Sequence, residues 1–374
     1  MRSLFFYISG HGFGHASRQI VIINALGPRL PTDGTIIVRS SAASRLFERT
    51  VRVPFTLIPG ECDTGVVQLD SLRLDEEETV RRAGEFYGDV DGRAEAEAAL
   101  LRQHDARLVI SDAPPLACVA AERAGIPSIV AGNFTWDWIY EGYGARFARQ
   151  APHVLPTIRD AYRRAVAGWR LPMHGGFATV PQVEDVPFVA RRSHRTRLEV
   201  LEALNIPSDR PLLLVSFGGF GVNEFDLSSV DALRDYTLLI TRWQGSERPP
   251  PGVTCIDERH MYALGIRYED LVAAVDVVVT KPGYGIISEC IANDTAVLYT
   301  SRGHFVEYDV LIDEMPKYLR CAFIEQETLL AGHWRDALGE LLASARPPET
   351  PRTDGAEVLA SRIVRALSTE RANG

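Results

Sequence analysis

The chain contains 374 residues, of which 46% are apolar and 24% are charged, a composition that is typical of globular proteins and excludes a disordered or fibrous chain. Its 40 Lys and Arg residues against 49 Asp and Glu residues give a net charge of −9, so the chain is a poor candidate for binding nucleic acid or anionic lipid. The length suffices for two domains, each with its own hydrophobic core.

The cysteines and the apolar runs narrow the class of protein further. No apolar run approaches the roughly 20 residues that span a bilayer, and the apolar stretch at residues 4–9 is too short for the core of a signal peptide, so we expect a cytoplasmic protein. The cysteines are odd in number and never form a CxxC pair, which argues against a disulfide framework and a Cys-rich zinc site. They are Cys62, Cys118, Cys255, Cys290 and Cys321.

The first half of the chain predicts a parallel sheet. An apolar strand at residues 4–8 leads into the glycine-rich turn SGHGFGH at 9–15, and a helix follows whose apolar residues share one face. The alternation of strands and helices continues at residues 35–38, 107–110, 117–124 and 128–130. Such alternation requires right-handed crossovers and a parallel sheet that helices cover on both faces.

The second half of the chain repeats this opening. A strand at residues 212–215 runs into the turn SFGGFG at 216–221, and a strand at 275–279 runs into the turn TKPGYG at 280–285 and a helix. The remaining elements are a linker, a strand and an amphipathic helix at residues 181–197, 297–299 and 355–367.

These patterns predict an α/β protein made of two Rossmann-like, doubly wound domains that face a cleft, with ligands at the carboxyl ends of the strands. The domains are expected at residues 1–186 and 187–374, with the last helix able to pack back on the first domain.

Both glycine-rich turns precede helix N-termini, where backbone N–H groups and the helix dipole favour phosphate. The NAD-binding fingerprint requires a third glycine and an acidic residue at the end of the second strand. Here His15 stands in place of that glycine, and Arg39 and Ser40 end the second strand, which disfavours NAD. The sequence GxxxxGK[ST] is missing, which excludes a P-loop ATPase.

The turn at residues 280–285 carries the more specific signal. Lys281 is one of only two lysines in the chain, and its compact charge suits a phosphate. Glu289 lies one turn into the following helix, off the apolar face, and a carboxylate can accept hydrogen bonds from both hydroxyls of a ribose. The alternatives are a solvated surface glutamate and an isolated surface lysine.

In these features the chain resembles nucleotide-sugar glycosyltransferases of the GT-B fold, both the UDP-dependent transferases of small molecules and the GlcNAc transferase of peptidoglycan synthesis. The shared features are two Rossmann-like halves, a histidine in the first glycine turn and the motif KPGYGxxxE at 281–289. The first half is still more similar to the N-terminal region of L-arabinokinases, through GHGFGHASR at 10–18, SDAPPLAC at 111–118 and NFTWDWIYEGY at 133–143. The sequence lacks a GLGSS-type phosphate loop, so kinase activity is not implied.

The resemblance implies a general base and a partner for it. His15 occupies the position of the histidine that deprotonates the acceptor, and Asp112 occupies the position of the aspartate that orients this histidine. His11 could exchange roles with His15. Simpler roles stay open at this stage: His15 could cap backbone groups at a helix start, and Asp112 could be a helix N-cap.

The resemblance also implies a nucleotide-sugar site in the second domain and an acceptor site in the first. Glu289 would bind the ribose and Glu307 the sugar hydroxyls, while Tyr308 replaces the family's glutamine and leaves the donor sugar open. The residues expected near the donor diphosphate are Gly219, Phe220, Gly221, Lys281, Gly283, Tyr284 and Gly285. Those expected near the acceptor are Gly12, Phe13, Asn133, Trp136 and Asp137. The aromatic cluster could also be plain core, and residues 218–221 could form only a tight turn.

Together these features predict transfer of a sugar from a nucleoside-diphosphate sugar, with UDP or dTDP as the nucleotide, to a hydroxyl of a small molecule. The resemblance implies inversion at the anomeric carbon. The absence of clustered His ligands predicts no metal, and we expect no cofactor beyond the sugar nucleotide. The alternatives are an epimerase or hydrolase of nucleotide sugars and a non-catalytic protein that binds them. The nucleotide base, the sugar, the acceptor and the oligomeric state stay open.

Overall fold

The computed structural model describes residues 2–217, 227–241 and 249–373. The chain forms two compact units. The first comprises Met1–Gln68, Leu74–Ala190 and Arg352–Gly374, and the second comprises Leu69–Arg73 and Arg191–Pro351. The boundary predicted between residues 186 and 187 falls close to the junction of the two units at Ala190 and Arg191.

The first unit is built on a parallel sheet of seven strands. These are β1 (Arg2–Ile8), β2 (Gly34–Ser40), β3 (Thr56–Pro59), β4 (Ala106–Asp112), β5 (Ser128–Phe134), β6 (Ala167–Gly175) and β7 (Val183–Asp185). Their order across the sheet is β3-β2-β1-β4-β5-β6-β7. Residues 4–8 of β1 are all buried, as expected for an apolar strand in a parallel sheet that is covered on both faces.

Eight helices of the first unit connect these strands. They are α1 (Gly12–Leu26), α2 (Ser44–Thr50), α3 (Glu76–Gly88), α4 (Val90–Gln103), α5 (Pro115–Ala124), α6 (Trp136–Glu141), α7 (Gly144–Gln150) and α8 (Val154–Arg163). Helix α1 forms where the apolar periodicity predicts it, and its predicted inner face is buried at Ala16, Ile20, Ile23 and Leu26. This packing fixes the start of α1 against the end of β1.

The second unit is built on a parallel sheet in the order β10-β9-β8-β11-β12-β13, with strands β8 (Leu212–Ser216), β9 (Thr237–Ile240), β10 (Val253–Cys255), β11 (Val277–Thr280), β12 (Ala296–Tyr299) and β13 (Cys321–Phe323). Its described helices are α9 (Arg197–Ala203), α10 (Glu258–Ala263), α11 (Tyr268–Ala274), α12 (Tyr284–Asn293), α13 (Glu307–Glu314), α14 (Gln326–Leu330) and α15 (Arg335–Ala343). The predicted α/β architecture of two Rossmann-like domains is confirmed.

The last helix, α16 (Gly355–Asn373), belongs to the first unit. Its Leu359 and Ile363 share one apolar core with Ile20 and Ile23 of α1. The segment from Arg352 onward therefore completes a core that the first residues of the chain begin.

In each sheet the strand order reverses between two neighbouring strands, and ligands of doubly wound folds bind at such switch points. In the first unit β1 and β4 flank the reversal, and Ile8 pairs in register with Asp112. In the second unit β8 and β11 flank it, and Ser216 pairs with Thr280. The first glycine turn and the turn at Lys281 follow these strand ends directly.

Several predicted boundaries were wrong. The segment 181–197 is not only a linker, because residues 183–185 form β7 and pair with β6. Strand β6 itself was missed. The strand predicted at 128–130 continues to Phe134, which places Asn133 inside the sheet, and the strand predicted from residue 275 begins at Val277.

Candidate active site

The glycine turn after β1 brings α1 to the switch point of the first sheet. His11 is the residue before α1, and the helix begins at Gly12, whose φ of +73° explains why glycine occupies this position. Phe13, on the first turn, is 39% exposed. His15 lies on the same turn and is turned inward, with 6% of its surface exposed.

The side chains of His15 and Asp112 meet at the end of β4. The Nδ1 atom of His15 lies 3.1 Å from Oδ1 of Asp112, and the aspartate is 1% exposed. Burial alone would raise the pKa of the Asp112 carboxyl, but the Arg18 guanidinium and the His15 ring hold it below its usual value. Asp112 is therefore an anion that faces the imidazole, rather than the N-cap of a helix.

Arg18 is a third member of this cluster that the sequence reasoning missed. Its Nη2 atom donates to Oδ1 of Asp112 at 2.5 Å and lies 3.2 Å from Nδ1 of His15. Its Nη1 atom donates to Oδ1 of Asn133 at 2.6 Å, and the Asn133 amide donates to the carbonyl of Pro172 in β6 at 2.7 Å. The available signal was helical spacing, since Arg18 follows His15 by three residues and shares its face.

The contact with Asp112 favours one tautomer of the neutral His15 ring. A lone pair on Nδ1 would face the lone pairs of a carboxylate at 3.1 Å, so we assign the proton of the neutral ring to Nδ1. The described polar contacts of the ring both fall on Nδ1. The Nε2 lone pair is thereby left to accept a proton from another molecule.

His11 is held differently from His15. Its Nδ1 atom accepts a hydrogen bond of 3.4 Å from the backbone N–H of Val66, and its Nε2 atom lies 3.1 Å from the side-chain amide of Gln68. Because both ring nitrogens of His11 have partners within the protein, His15 is the better placed of the two to act as a base.

A second buried carboxyl group, that of Asp63, lies near His15 and is held by hydrogen bonds. Asp63 accepts hydrogen bonds from Oγ of Ser9 at 3.0 Å and from Nε1 of Trp136 at 2.8 Å. Burial raises the pKa of the Asp63 carboxyl to about 6, although the hydrogen bonds and the nearby His15 lower it. The indole of Trp136 packs edge-on against His11 at 5.6 Å between ring centroids.

The three predicted acceptor residues of the NFTWDW segment have distinct surroundings. Asn133 uses its amide to hold Arg18 and the Pro172 carbonyl, and Trp136 is 1% exposed within an aromatic cluster. Asp137 is buried, and its Oδ2 atom lies 3.5 Å from Oγ1 of Thr179 and 4.0 Å from Nε of Arg159. The structure thus places Asn133 and Trp136 beside His15 as supports of the cluster, whereas the described contacts of Asp137 lie elsewhere.

In the second unit, Lys281 follows β11 and lies beside the start of α12. Gly283 precedes this helix as its N-cap residue, and Tyr284 and Gly285 form its first turn, where backbone N–H groups have no helical partner. Burial and the Arg302 guanidinium lower the pKa of the Lys281 ammonium to about 7, although Glu307 raises it. Lys281 is therefore not an isolated surface cation.

Glu307, the first residue of α13, is paired with a residue that the sequence reasoning did not single out. Nη1 of Arg302 donates to Oε1 of Glu307 at 2.9 Å and to the carbonyl of Pro282 at 3.2 Å. The guanidinium lies 3.7 Å from the ring centroid of Phe305. Arg302 thus connects Glu307 to the turn that carries Lys281.

Glu289 on α12 is 4% exposed, so a solvated surface position was the wrong alternative. Nε of Arg191 donates to its Oε1 atom at 2.6 Å, and Nη1 of Arg191 lies 3.4 Å from Oε2 of Glu269. Burial raises the pKa of the Glu289 carboxyl, and Arg191 partly offsets this rise. The described contacts of the Glu289 carboxylate fall on Oε1, which leaves Oε2 for a ligand hydroxyl.

Gly219, Phe220 and Gly221 were predicted to bind the donor, and they lie outside the described residues. Within the described ranges, no group of three His, Cys, Asp or Glu side chains is arranged to hold a metal ion. Asp89 and Asp91 form an Asp-x-Asp sequence at the junction of α3 and α4, but Asp91 pairs with Arg123. In the part of the chain that the structure describes, no helix is both long and apolar enough to cross a bilayer.

The whole chain is similar to solved glycosyltransferases. The glycotransferase of kitacinnamycin has a TM-score of 0.61 at 17% identity, over 98% of this chain and 95% of that chain. The calicheamicin glycosyltransferase CalG4 has a TM-score of 0.62 at 13% identity, over 98% and 94%. UGT2 of Phytolacca americana, complexed with UDP-2fluoro-glucose and pterostilbene, has a TM-score of 0.58 at 13% identity, over 99% of this chain and 94% of that chain. The chain has the GT-B fold.

This GT-B chain also has relatives by sequence. It is 28% identical over 360 residues to the L-arabinokinase of Arabidopsis thaliana, which is 95% of this chain and 33% of that protein. A second relative is the UDP-N-acetylglucosamine--N-acetylmuramyl-(pentapeptide) pyrophosphoryl-undecaprenol N-acetylglucosamine transferase of Clavibacter sepedonicus. It is 27% identical to this chain over 188 residues, which are 49% of this chain and 47% of that protein. The chain thus spans about a third and about half of the length of these relatives. No protein-family model matches the sequence. Both predicted resemblances are confirmed.

Proposed function

We propose that this GT-B protein transfers a sugar from a nucleoside-diphosphate sugar to a hydroxyl group of a small-molecule acceptor. The observation that carries the proposal is the His15–Asp112 pair at the switch point of the first sheet, with Nδ1 of His15 3.1 Å from the carboxylate. A neutral imidazole that is oriented by a buried carboxylate is suited to general-base chemistry near neutral pH.

The transfer step uses Nε2 of His15 as the base. The acceptor hydroxyl gives its proton to Nε2 while its oxygen forms a bond to the anomeric carbon of the donor sugar. The bond between that carbon and the diphosphate oxygen breaks, and the electron pair leaves with the nucleoside diphosphate. Asp112 stabilises the imidazolium that forms, as carboxylates do in other His–Asp pairs. Attack opposite the leaving group gives inversion at the anomeric carbon.

The donor is proposed to bind the second unit. Oε2 of Glu289 would accept a hydrogen bond from a ribose hydroxyl, and Lys281 with the N–H groups at the start of α12 would stabilise the charge that develops on the diphosphate. This arrangement supports catalysis without a metal ion and without a cofactor beyond the sugar nucleotide. UDP is the first nucleotide to test, because UGT2 of Phytolacca americana binds UDP-2fluoro-glucose, and dTDP is the second.

Two measurements test the proposal, one of nucleotide binding and one of sugar transfer. The first is the melting temperature in UDP, dTDP, GDP, ADP, NAD and NADP, since a ligand at 100 times its Kd stabilises the fold by about 2.7 kcal/mol. The second is release of nucleoside diphosphate from the corresponding sugar nucleotides, with and without a panel of hydroxyl acceptors. We expect a shift with UDP or dTDP, loss of that shift in Glu289→Ala, and acceptor-dependent release.

The matched pair His15→Gln and His11→Gln separates the base from its neighbour. Loss of a general base costs on the order of 10²–10⁴ in rate, so we expect that loss for His15→Gln and a smaller one for His11→Gln. Release of the nucleoside diphosphate from the donor without an acceptor would favour a hydrolase or epimerase. Nucleotide binding with no turnover, unaffected by His15→Gln, would favour a non-catalytic binding protein.

A further inference from the structure

We propose that Arg191 makes the donor site recognise a single hydroxyl of the ribose, because it occupies one carboxylate oxygen of Glu289 and leaves only the other for the nucleotide. This inference deepens the proposed function and rests on it, since it concerns how the second unit binds the donor. The contacts of Glu289, the anchoring of the guanidinium and the burial of both side chains carry it.

The described polar contacts of the Glu289 carboxylate fall on one oxygen. Nε of Arg191 donates to Oε1 at 2.6 Å, and Nη2 of Arg191 is paired with the same Oε1 atom. Each oxygen of a carboxylate offers two lone-pair sites, so the two donors of Arg191 occupy both sites of Oε1. A ligand hydroxyl that binds Glu289 therefore binds Oε2.

The guanidinium of Arg191 is fixed in this position by a second carboxyl group and an aromatic ring. Its third nitrogen, Nη1, lies 3.4 Å from Oε2 of Glu269 on α11, and its central carbon lies 5.8 Å from the ring centroid of Tyr268. In a bidentate pair, two nitrogens of an arginine would each bind one oxygen of the same carboxylate. Because Nη1 faces Glu269 instead, Nε and Nη2 meet Glu289 at Oε1 alone.

The backbone around Arg191 is also held against α12. The side-chain amide of Asn293 donates to the carbonyl of Arg191 at 3.0 Å and to the carbonyl of Glu289 at 2.8 Å. The other end of this amide accepts a hydrogen bond of 2.9 Å from the backbone N–H of Ser193. One amide thus connects the segment that carries Arg191 to the helix that carries Glu289, so the guanidinium and the carboxylate keep their relative positions.

A ribose that enters this site meets one available carboxylate oxygen. A neutral hydroxyl is a weaker donor than a charged N–H group, and the side chains of Glu289 and Arg191 are only 6% and 18% exposed, so the hydroxyl does not displace Arg191 from Oε1. The two lone pairs of Oε2 diverge more widely than two neighbouring hydroxyls can follow, and only one hydroxyl can make a straight hydrogen bond to it. The two ribose hydroxyls therefore contribute unequally to binding.

Calorimetric Kd values of the full chain for UDP, 2′-deoxy-UDP and 3′-deoxy-UDP test this inference. We expect one deoxy analogue to bind within about twofold of UDP and the other about 10- to 100-fold more weakly, because it lacks a hydrogen bond to a charged group. In Glu289→Ala, which removes the carboxylate, all three should bind equally weakly. Comparable losses for the two analogues in the wild type, or no loss for either, would overturn the inference.

The variant Arg191→Lys tests the part of Arg191 directly. It keeps the positive charge but replaces the fork of nitrogens by one ammonium group, which frees a lone-pair site of Oε1. The analogue that the wild type tolerates should then bind up to about tenfold more weakly than UDP. The matched control is Arg197→Lys in the same unit, since Arg197 donates through two nitrogens to Asp276 and should leave the wild-type ratios unchanged. Wild-type ratios in folded Arg191→Lys would overturn the inference.

The inference and the proposed function fail in different ways. If no nucleoside diphosphate binds, the proposed donor site is overturned and the inference falls with it. If UDP binds and depends equally on both ribose hydroxyls, the inference alone is overturned. If the melting temperatures select another base, the same comparison uses the ribose, 2′-deoxyribose and 3′-deoxyribose forms of that nucleotide. If Arg191→Lys does not fold, the comparison of the three nucleotides in the wild type decides.

Discussion

Nε of Arg191 donates a hydrogen bond of 2.6 Å to Oε1 of Glu289, so the residue at which the second unit resumes is paired with the carboxylate that we place on the donor ribose. The backbone carbonyl of Arg191 also accepts from the side chain of Asn293, one turn further along α12. Arg191 is therefore hydrogen-bonded to α12, the helix that presents Glu289, at two points.

Loss of the Arg191 charge should destabilise the second unit strongly. In Arg191→Met the buried carboxylate of Glu289 loses its partner, and breaking a mostly buried ion pair from one side costs about 3–5 kcal/mol. Urea unfolding measures the loss. The control is Arg197→Met, since the ion pair of Arg197 with Asp276 is about one-third exposed on both sides, and its loss should be smaller. Equal losses in the two variants would contradict the assignment of Arg191–Glu289 as a buried pair.

Binding of the nucleoside diphosphate should weaken as the pH rises above 7. Burial and Arg302 lower the pKa of Lys281 to about 7, so below that pH the ammonium already carries its proton and Lys281 adds no further pH dependence to binding. Above it, binding of the diphosphate requires uptake of a proton, and the affinity falls by up to about tenfold per pH unit. Calorimetry in buffers of different ionisation enthalpy measures the proton uptake directly.

The control for this pH dependence is Lys281→Arg, which keeps a charge that does not titrate in this range. We expect Lys281→Arg to bind with an affinity that is nearly independent of pH between 7 and about 9. A slope that persists in this variant would assign the titration to another group.

The stability of the first unit should fall between pH 4 and pH 6 through Asp63. Burial raises the pKa of this carboxyl from 3.8 to about 6, so over this range the folded state binds more protons than the unfolded state. The stabilisation that Asp63 contributes is then fully present below pH 4. It is lost as the pH rises through 6, and the loss amounts to about 3 kcal/mol for this group. Unfolding free energies across this range should show the fall in the wild type and a flatter curve in Asp63→Asn.

Packing of α16 on the first unit should make its inner face costly to truncate. Leu359→Ala or Ile363→Ala leaves a cavity in the core shared with α1, and such changes cost about 2–5 kcal/mol. The matched control is Leu198→Ala, because Leu198 on α9 is 65% exposed and should lose little. A change at Leu359 as small as that at Leu198 would mean that α16 is not part of this core in solution.

The strands that the sequence predicts best are those buried on both faces. The apolar runs at 4–8 and 212–215 need no alternation of polar and apolar residues, because helices cover both sides of a parallel sheet. β6 and β7 were missed for the converse reason. β6 contains Arg170, Pro172 and His174, and β7 has three residues at the edge of the sheet, so neither has a continuous apolar run.

The partners in the candidate site could not be predicted from local patterns. His15, Asp112 and Glu289 were found through glycine turns, strand ends and family resemblance. The cations that hold them were not found, since Arg18 is 94 residues from Asp112 and Arg191 is 98 residues from Glu289. Side-chain pairing at such separations depends on the register of the sheet and on burial, which local spacing does not determine.

The return of α16 to the first unit reverses the order in which the two units can be completed during synthesis. When Ala190 leaves the ribosome, the apolar core around α1 still lacks Leu359 and Ile363. Translation of residues 191–351 then takes on the order of 10 s, and the second unit is complete before the segment that begins at Arg352 is made, so the second unit can finish folding first. Throughout that interval the nascent first unit presents an uncovered apolar stripe, which is the kind of surface that chaperones bind and that other unfinished chains aggregate on.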